Sequence, residues 1–165
     1  MPSGLFGFPN PVNEPASRLV AGAVALIACA AIATQQPWLS AVLAYGFLAR
    51  VATGPTMSPL GQLATRVVAP RLTKAPKLVP GPPKRFAQGI GATVSCAATL
   101  CFFLGHLVIV TYALLGLLAL AAALEAAFAF CIGCRVFGLL MRWGVIPQEV
   151  CVACARLPAR EGRTP

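Results

Sequence analysis

Four of the seven cysteines, Cys131, Cys134, Cys151 and Cys154, form two Cys-x-x-Cys pairs with 16 residues between them. Two chemistries use this pattern. Four thiolates in paired spacing match a tetrahedral zinc site. Soft sulfur ligands also admit an iron–sulfur cluster, and they disfavour magnesium or calcium. The competing chemistry is thiol–disulfide exchange, in which a pair cycles between dithiol and disulfide. A nearby cation or a helix N-terminus then favours the thiolate. Arg135 adjoins Cys134, and Cys151 follows Pro147 by about one turn of a last short helix that carries Cys151 and Cys154. Two neighbouring pairs could pass electrons or sulfane sulfur from one to the other.

Each reading meets an objection. Residues 135–150 include Phe137, Leu139, Leu140, Met141 and Trp143, unusually apolar for a zinc ribbon. Neither pair has the Gly-Pro or aromatic interior common in disulfide oxidoreductases. Both chemistries stay open at this point. The remaining three, Cys29, Cys96 and Cys101, lie within apolar runs and read as small hydrophobes.

Glu125 is the sole acid inside a long apolar run. Intramembrane acids are costly and mark function or a partner. Its expected partner is Arg50 or Arg18; if it is functional, it serves proton transfer during thiol exchange, or solute transport. His106, the single histidine, falls in a turn far from the cysteines and is given no metal role. With one histidine and no aspartate, most hydrolytic chemistries are excluded, and no P-loop, GxGxxG or HExxH pattern occurs.

These residues must be positioned by a very apolar chain. Its 165 residues are 58% hydrophobic and 10% charged. Soluble domains carry about 25% charged residues. The predicted fold is all-α: one polytopic membrane domain over residues 1–165, with four transmembrane helices and short interfacial or cytoplasmic helices. The spans are placed at about 16–36, 37–53, 86–104 and 107–130, each near the roughly 17–25 residues of a bilayer crossing. The N-terminus lacks the basic residues of a secretory signal, so the first run reads as a retained helix.

Residues 54–85 hold 7 of the 15 prolines and six basic residues. Ser58-Pro59 reads as a helix start, with Leu60, Leu63, Val67 and Val68 at helical spacing for an interfacial helix. Pro76 to Arg85 is too proline-rich for helix or central strand and reads as an extended loop. Asn10, Asn13 and Glu14 can cap the first span, and can also reach the cysteine region. Gly133 is expected to let the first cysteine pair turn off the fourth span. Residues 131–154 form the cysteine-bearing C-terminal segment, and 155–165 a polar tail.

Orientation follows from charge. The chain has 13 Lys and Arg against 4 acids. With four spans all 13 basic residues fall on one side or at its membrane edge, which places both termini and the loop on the cytoplasmic side of a cytoplasmic (inner) membrane. There, thiols are kept reduced and structural disulfides are not expected. The basic residues lack the interleaved aromatics of a base-stacking surface, so no nucleic-acid partner is expected; the bilayer is the certain neighbour, and oligomerisation is left open.

The stretches Asn10-Pro-Val-Asn-Glu14, Pro80-Gly-Pro-Pro-Lys-Arg-Phe-Ala-Gln-Gly-Ile-Gly91, Cys131-x-x-Cys134, Gly138-Leu-Leu-Met-Arg142, Ile146-Pro147 and Cys151-x-x-Cys154 together resemble the bacterial membrane family catalogued as domain of unknown function 4395. The resemblance implies a small multi-helix membrane protein with paired Cys-x-x-Cys motifs. It also implies actinobacterial neighbours of thioredoxin-like or rhodanese-like type, and so thiol or sulfur chemistry, but no catalytic mechanism. The expected function is a membrane-bound thiol redox or sulfur-handling component, a thiol–disulfide oxidoreductase or sulfur relay, in which Cys131, Cys134, Cys151 and Cys154 react and Glu125 assists. The alternatives are a structural zinc site on the same four cysteines and a small transporter.

Overall fold

A computed structural model describes residues 10–72 and 77–151. Lys74, Pro76, Cys154 and the tail 155–165 lie outside the described residues. The fold is all-α apart from a two-residue antiparallel ladder of β1 (Val12–Asn13) and β2 (Leu78–Val79), in which Val12 faces Val79.

Four helices make the body: α1 (Glu14–Ala33), α2 (Leu39–Thr53), α5 (Gly81–Phe103) and α6 (Val108–Phe128). Between α2 and α5 lie α3 (Pro59–Gln62), a wide π turn (Leu63–Val68) and α4 (Ala69–Leu72). The predicted start at Ser58 is present, its hydroxyl accepting from the Gly61 N–H. The π turn ends just before Pro70, whose ring cannot sit against the Arg66 carbonyl of a regular helix. After α6 come α7 (Ile132–Arg142) and a single 3₁₀ turn (Gln148–Cys151).

Helix α1 packs along α6, α2 along α5, and α5 also meets α6 and α7. The interior is built from small residues: Ala28, Ala31 and Ala98 are fully enclosed, with Ser40, Ser95 and Thr111. Large side chains point outward, Ile109 86% exposed and Leu26 73% exposed. Water would drive these groups inside. Lipid does not, and helices in lipid associate through small residues and hydroxyl bonds. Thr99 donates to Ser40 at 3.1 Å across α5 and α2, and Thr111 to the Ala98 carbonyl at 3.2 Å across α6 and α5.

Three helices, α1, α5 and α6, are long and apolar enough to cross a membrane. Helix α2, expected as the second of four spans, has 15 residues. At 1.5 Å per residue it reaches about 22 Å, short of a hydrocarbon core of about 30 Å.

Two expectations for the loop are corrected. Residues 78–79 form a strand, and Gly81 to Arg85 form the first turn of α5. Prolines 82 and 83 fall where helical N–H groups have no internal partner, so they cost no hydrogen bond there. Asn10 completes that end: its Oδ1 accepts from the Gly81 N–H at 3.1 Å. Asn13 caps α1 in the predicted way, accepting from the Ala16 N–H at 3.2 Å.

Candidate functional site

Helix α6 ends where Ala129 adopts a left-handed conformation, φ 56°. The chain turns there, two residues before Cys131, and not at Gly133 as expected. Gly133 is needed for another reason: a Cβ at this position would lie 2.6 Å from the Ala87 Cα of α5. The glycine lets α7 lie directly on α5.

That close approach fixes Cys131 as the N-cap of α7. Its Sγ accepts from the Cys134 N–H at 3.3 Å. A hydrogen bond from the Cys134 thiol holds the Cys131 thiol below its ordinary range; the Cys134 N–H and the Lys84 ammonium act in the same direction, against burial and the Glu125 charge. The same thiol–thiol bond, with burial, pushes Cys134 up. One cysteine is thus biased to thiolate and its neighbour to thiol. Cys131 is buried at 8% exposure, and Cys134 is half-buried. The expected cation, Arg135, instead stacks on Phe130 at 5.2 Å, and Lys84 supplies the positive field.

Lys84 and Glu125 form an ion pair at 2.5 Å with side chains 9% and 16% exposed. Glu125 therefore bonds to Lys84, not to the expected Arg50 or Arg18. The other two cations have different work. Arg18 donates through Nε and Nη2 to the Ala126 carbonyl and through Nη2 to that of Ala127, closing the C-terminus of α6. Arg50, 5% exposed, donates from Nε to the Gln88 Oε1 at 2.9 Å, reaches the Ser58 hydroxyl at 3.5 Å and stacks on Phe47 at 4.6 Å.

Of the second pair, Cys151 is among the described residues. Cys151 is disulfide-bonded, against the expected reduced state, and packs with Phe137 and Met141 of α7. Phe137 lies six residues beyond Cys131, about 9 Å along the helix. Among the described residues no three His, Cys, Asp or Glu side chains gather where they could hold a metal. Cys131 and Cys134 are free thiols, and Cys154, the fourth cysteine of the expected set, lies outside the described residues. Asn10 does reach this neighbourhood, lining a cleft with Phe86, Phe137 and Val150.

Of the other cysteines, Cys29 is exposed and Cys96 and Cys101 are half-buried, all as free thiols. They sit on outward or flanking faces of α1 and α5 rather than in the core. His106 is exposed in the α5–α6 turn with φ 49°.

Sequence reasoning missed Lys84 as a site residue, although a signal was there. Gly81, Lys84, Gly91, Ser95 and Ala98 recur at helical spacing and are all buried. Extending the small-residue stripe of α5 back through the prolines puts Lys84 inside.

Residues 12–142 match the model of the family described as Domain of unknown function (DUF4395). The match includes Cys131 and Cys134 and ends before Cys151. Comparison with curated proteins and with solved structures found no match. The chain belongs to the DUF4395 family.

Proposed function

We propose that this chain is a four-crossing protein of the bacterial inner membrane whose Cys131–Cys134 pair exchanges electrons with a thioredoxin-like partner. The observation that carries the reading is Cys131 at the N-cap of α7, its sulfur held as an acceptor by Cys134 while Cys134 keeps its proton. This is the division of labour that disulfide exchange needs, since the thiolate attacks and the neighbouring thiol resolves.

The step balances as follows. The Cys131 thiolate attacks one sulfur of the partner's disulfide, forming a mixed disulfide and releasing one partner thiolate. Cys134 loses its proton and attacks the Cys131 sulfur, which releases the second partner thiolate. The partner gains two electrons, and Cys131–Cys134 becomes the disulfide. The reverse sequence regenerates the dithiol from a reduced partner. A rhodanese-like partner would meet the same nucleophile: the Cys131 thiolate attacks the outer sulfur of the partner's cysteine persulfide, its S–S bond breaks, the partner cysteine leaves as thiolate, and Cys131 becomes the persulfide.

The positive-inside rule supports placing both termini and residues 54–85 on the cytoplasmic face, with the α1–α2 and α5–α6 turns outside. Trp38, half-exposed at the α1–α2 turn, suits the outer interface and extends the short reach of α2.

The test is trapping. C134S removes the resolving thiol, so mixed disulfides between Cys131 and a thioredoxin-like protein should accumulate in membranes, and C131S should trap none. Equal trapping by both variants, or none by either, contradicts the reading.

A further inference from the structure

A second set of buried polar groups lies beside the thiols and shares Lys84 with them. Arg50 and Lys84 both line a cleft of about 250 Å³ between α1, the end of α2, α3 and the start of α5, with Asn13, Ser17 and Gln88 at its walls. The charges around it do not balance. Arg18, Arg50 and Lys84 converge on this end of the bundle, where Glu14 is paired with Lys77 and Glu125 is the acid facing Lys84 and Arg50. Its bond goes to Lys84, and its charge reaches Arg50 only through space. Arg50 itself bonds to neutral groups, Gln88 and, at 3.5 Å, Ser58.

A guanidinium carries five N–H donors in a fork that matches a carboxylate or phosphate. Gln88 and Ser58 engage two of them. A buried cation whose hydrogen bonds all go to neutral groups, with its acid felt only through space, is expensive to keep. Here it is kept at 5% exposure, over the Phe47 ring and facing a cleft. Val12 and Val20 add apolar wall beside the cations.

We propose that this cleft binds an oxyanion, gripped by Arg50 and steadied by Lys84. The chemistry is that of a phosphate group, supplied either by the headgroup of an anionic phospholipid or by free phosphate. The site shares Lys84 with the thiols, but none of its contacts requires Cys131 to react.

The experiment uses the full chain purified in zwitterionic detergent and has two arms. In one, equilibrium dialysis measures radiolabelled inorganic phosphate. In the other, native mass spectrometry counts phosphatidylglycerol retained after extraction from vesicles of phosphatidylglycerol and phosphatidylcholine. Two variants accompany the wild type. R50Q removes the cation. S17L keeps every charge and fills the cleft, so it still reports if R50Q does not fold. The expected result is one anion per chain in at least one arm, weakened about tenfold or more in both variants, the scale of one lost charge-assisted bond. Saturation by phosphate identifies a soluble anion, and retention of lipid that phosphate does not displace identifies a headgroup. No saturable binding in either arm, or binding unchanged in both variants, overturns the proposal.

Discussion

At the end of the bundle that holds the α1–α2 and α5–α6 turns, the interior is Ala28, Ala31, Ser40, Ser95, Ala98 and Thr111, with no charged side chain among them. At the opposite end the same four helices bury Arg50 and Lys84, hold Glu125 nearly covered, and lead into Cys131. The first end is held by close approach and hydroxyl bonds. The second is held by ion pairing, by an arginine on the α6 carbonyls and by asparagine caps. The contrast teaches how one helix can serve two purposes. The stripe of α5 that lets helices touch at one end carries, three turns earlier, the lysine that biases a thiol at the other.

The sharpest way to break this contrast is to unbalance the charged end. K84M leaves Glu125 nearly buried without its partner, and should cost about 3–5 kcal/mol in detergent unfolding assays. The double variant K84M/E125L should recover most of that loss, because it removes both charges. A K84M loss under about 1 kcal/mol would mean that water reaches the pair and that this end is not dry.

The small-residue end is tested by size. Ala98 is fully enclosed, so A98L should force α5 away from its neighbours at about 1–3 kcal/mol. Its counterpart I109A, at a side chain 86% exposed, should change stability by no more than about 0.5 kcal/mol. Equal effects would show that the bundle does not pack through its small faces.

The smallest effect is expected at the surface. Lys77 pairs with Glu14 at 3.1 Å but is 78% exposed. K77A should therefore cost at most about 0.5 kcal/mol. A loss as large as that of K84M would remove the distinction between covered and open ion pairs.

Much of this architecture was legible in the residues. Long uncharged runs mark α1, α5 and α6, Ser58-Pro59 marks a helix start, and the asparagines near residue 13 mark a cap. The proline stretch 80–85 was misread because proline forbids a helix interior but not a first turn. That error hid Lys84, and with it the true partner of Glu125. Gly133 was misread because a turn and a close packing contact both call for glycine, and only three-dimensional placement against Ala87 separates them.

The central claim is that a hydrogen bond from Cys134 holds the Cys131 thiol below its ordinary range. The direct measurement is the rate of Cys131 alkylation against pH, in a chain whose other cysteines except Cys134 are serine. A lowered pKa predicts that the rate rises to its plateau at a pH below that of an ordinary thiol, about 8.5. The hydrogen bond from Cys134 is the largest cause, so adding C134A, which removes the donor, should move the curve upward toward that ordinary value, and K84M should move it upward by less. A curve centred at or above 8.5 with Cys134 present, unmoved by C134A, would contradict the account.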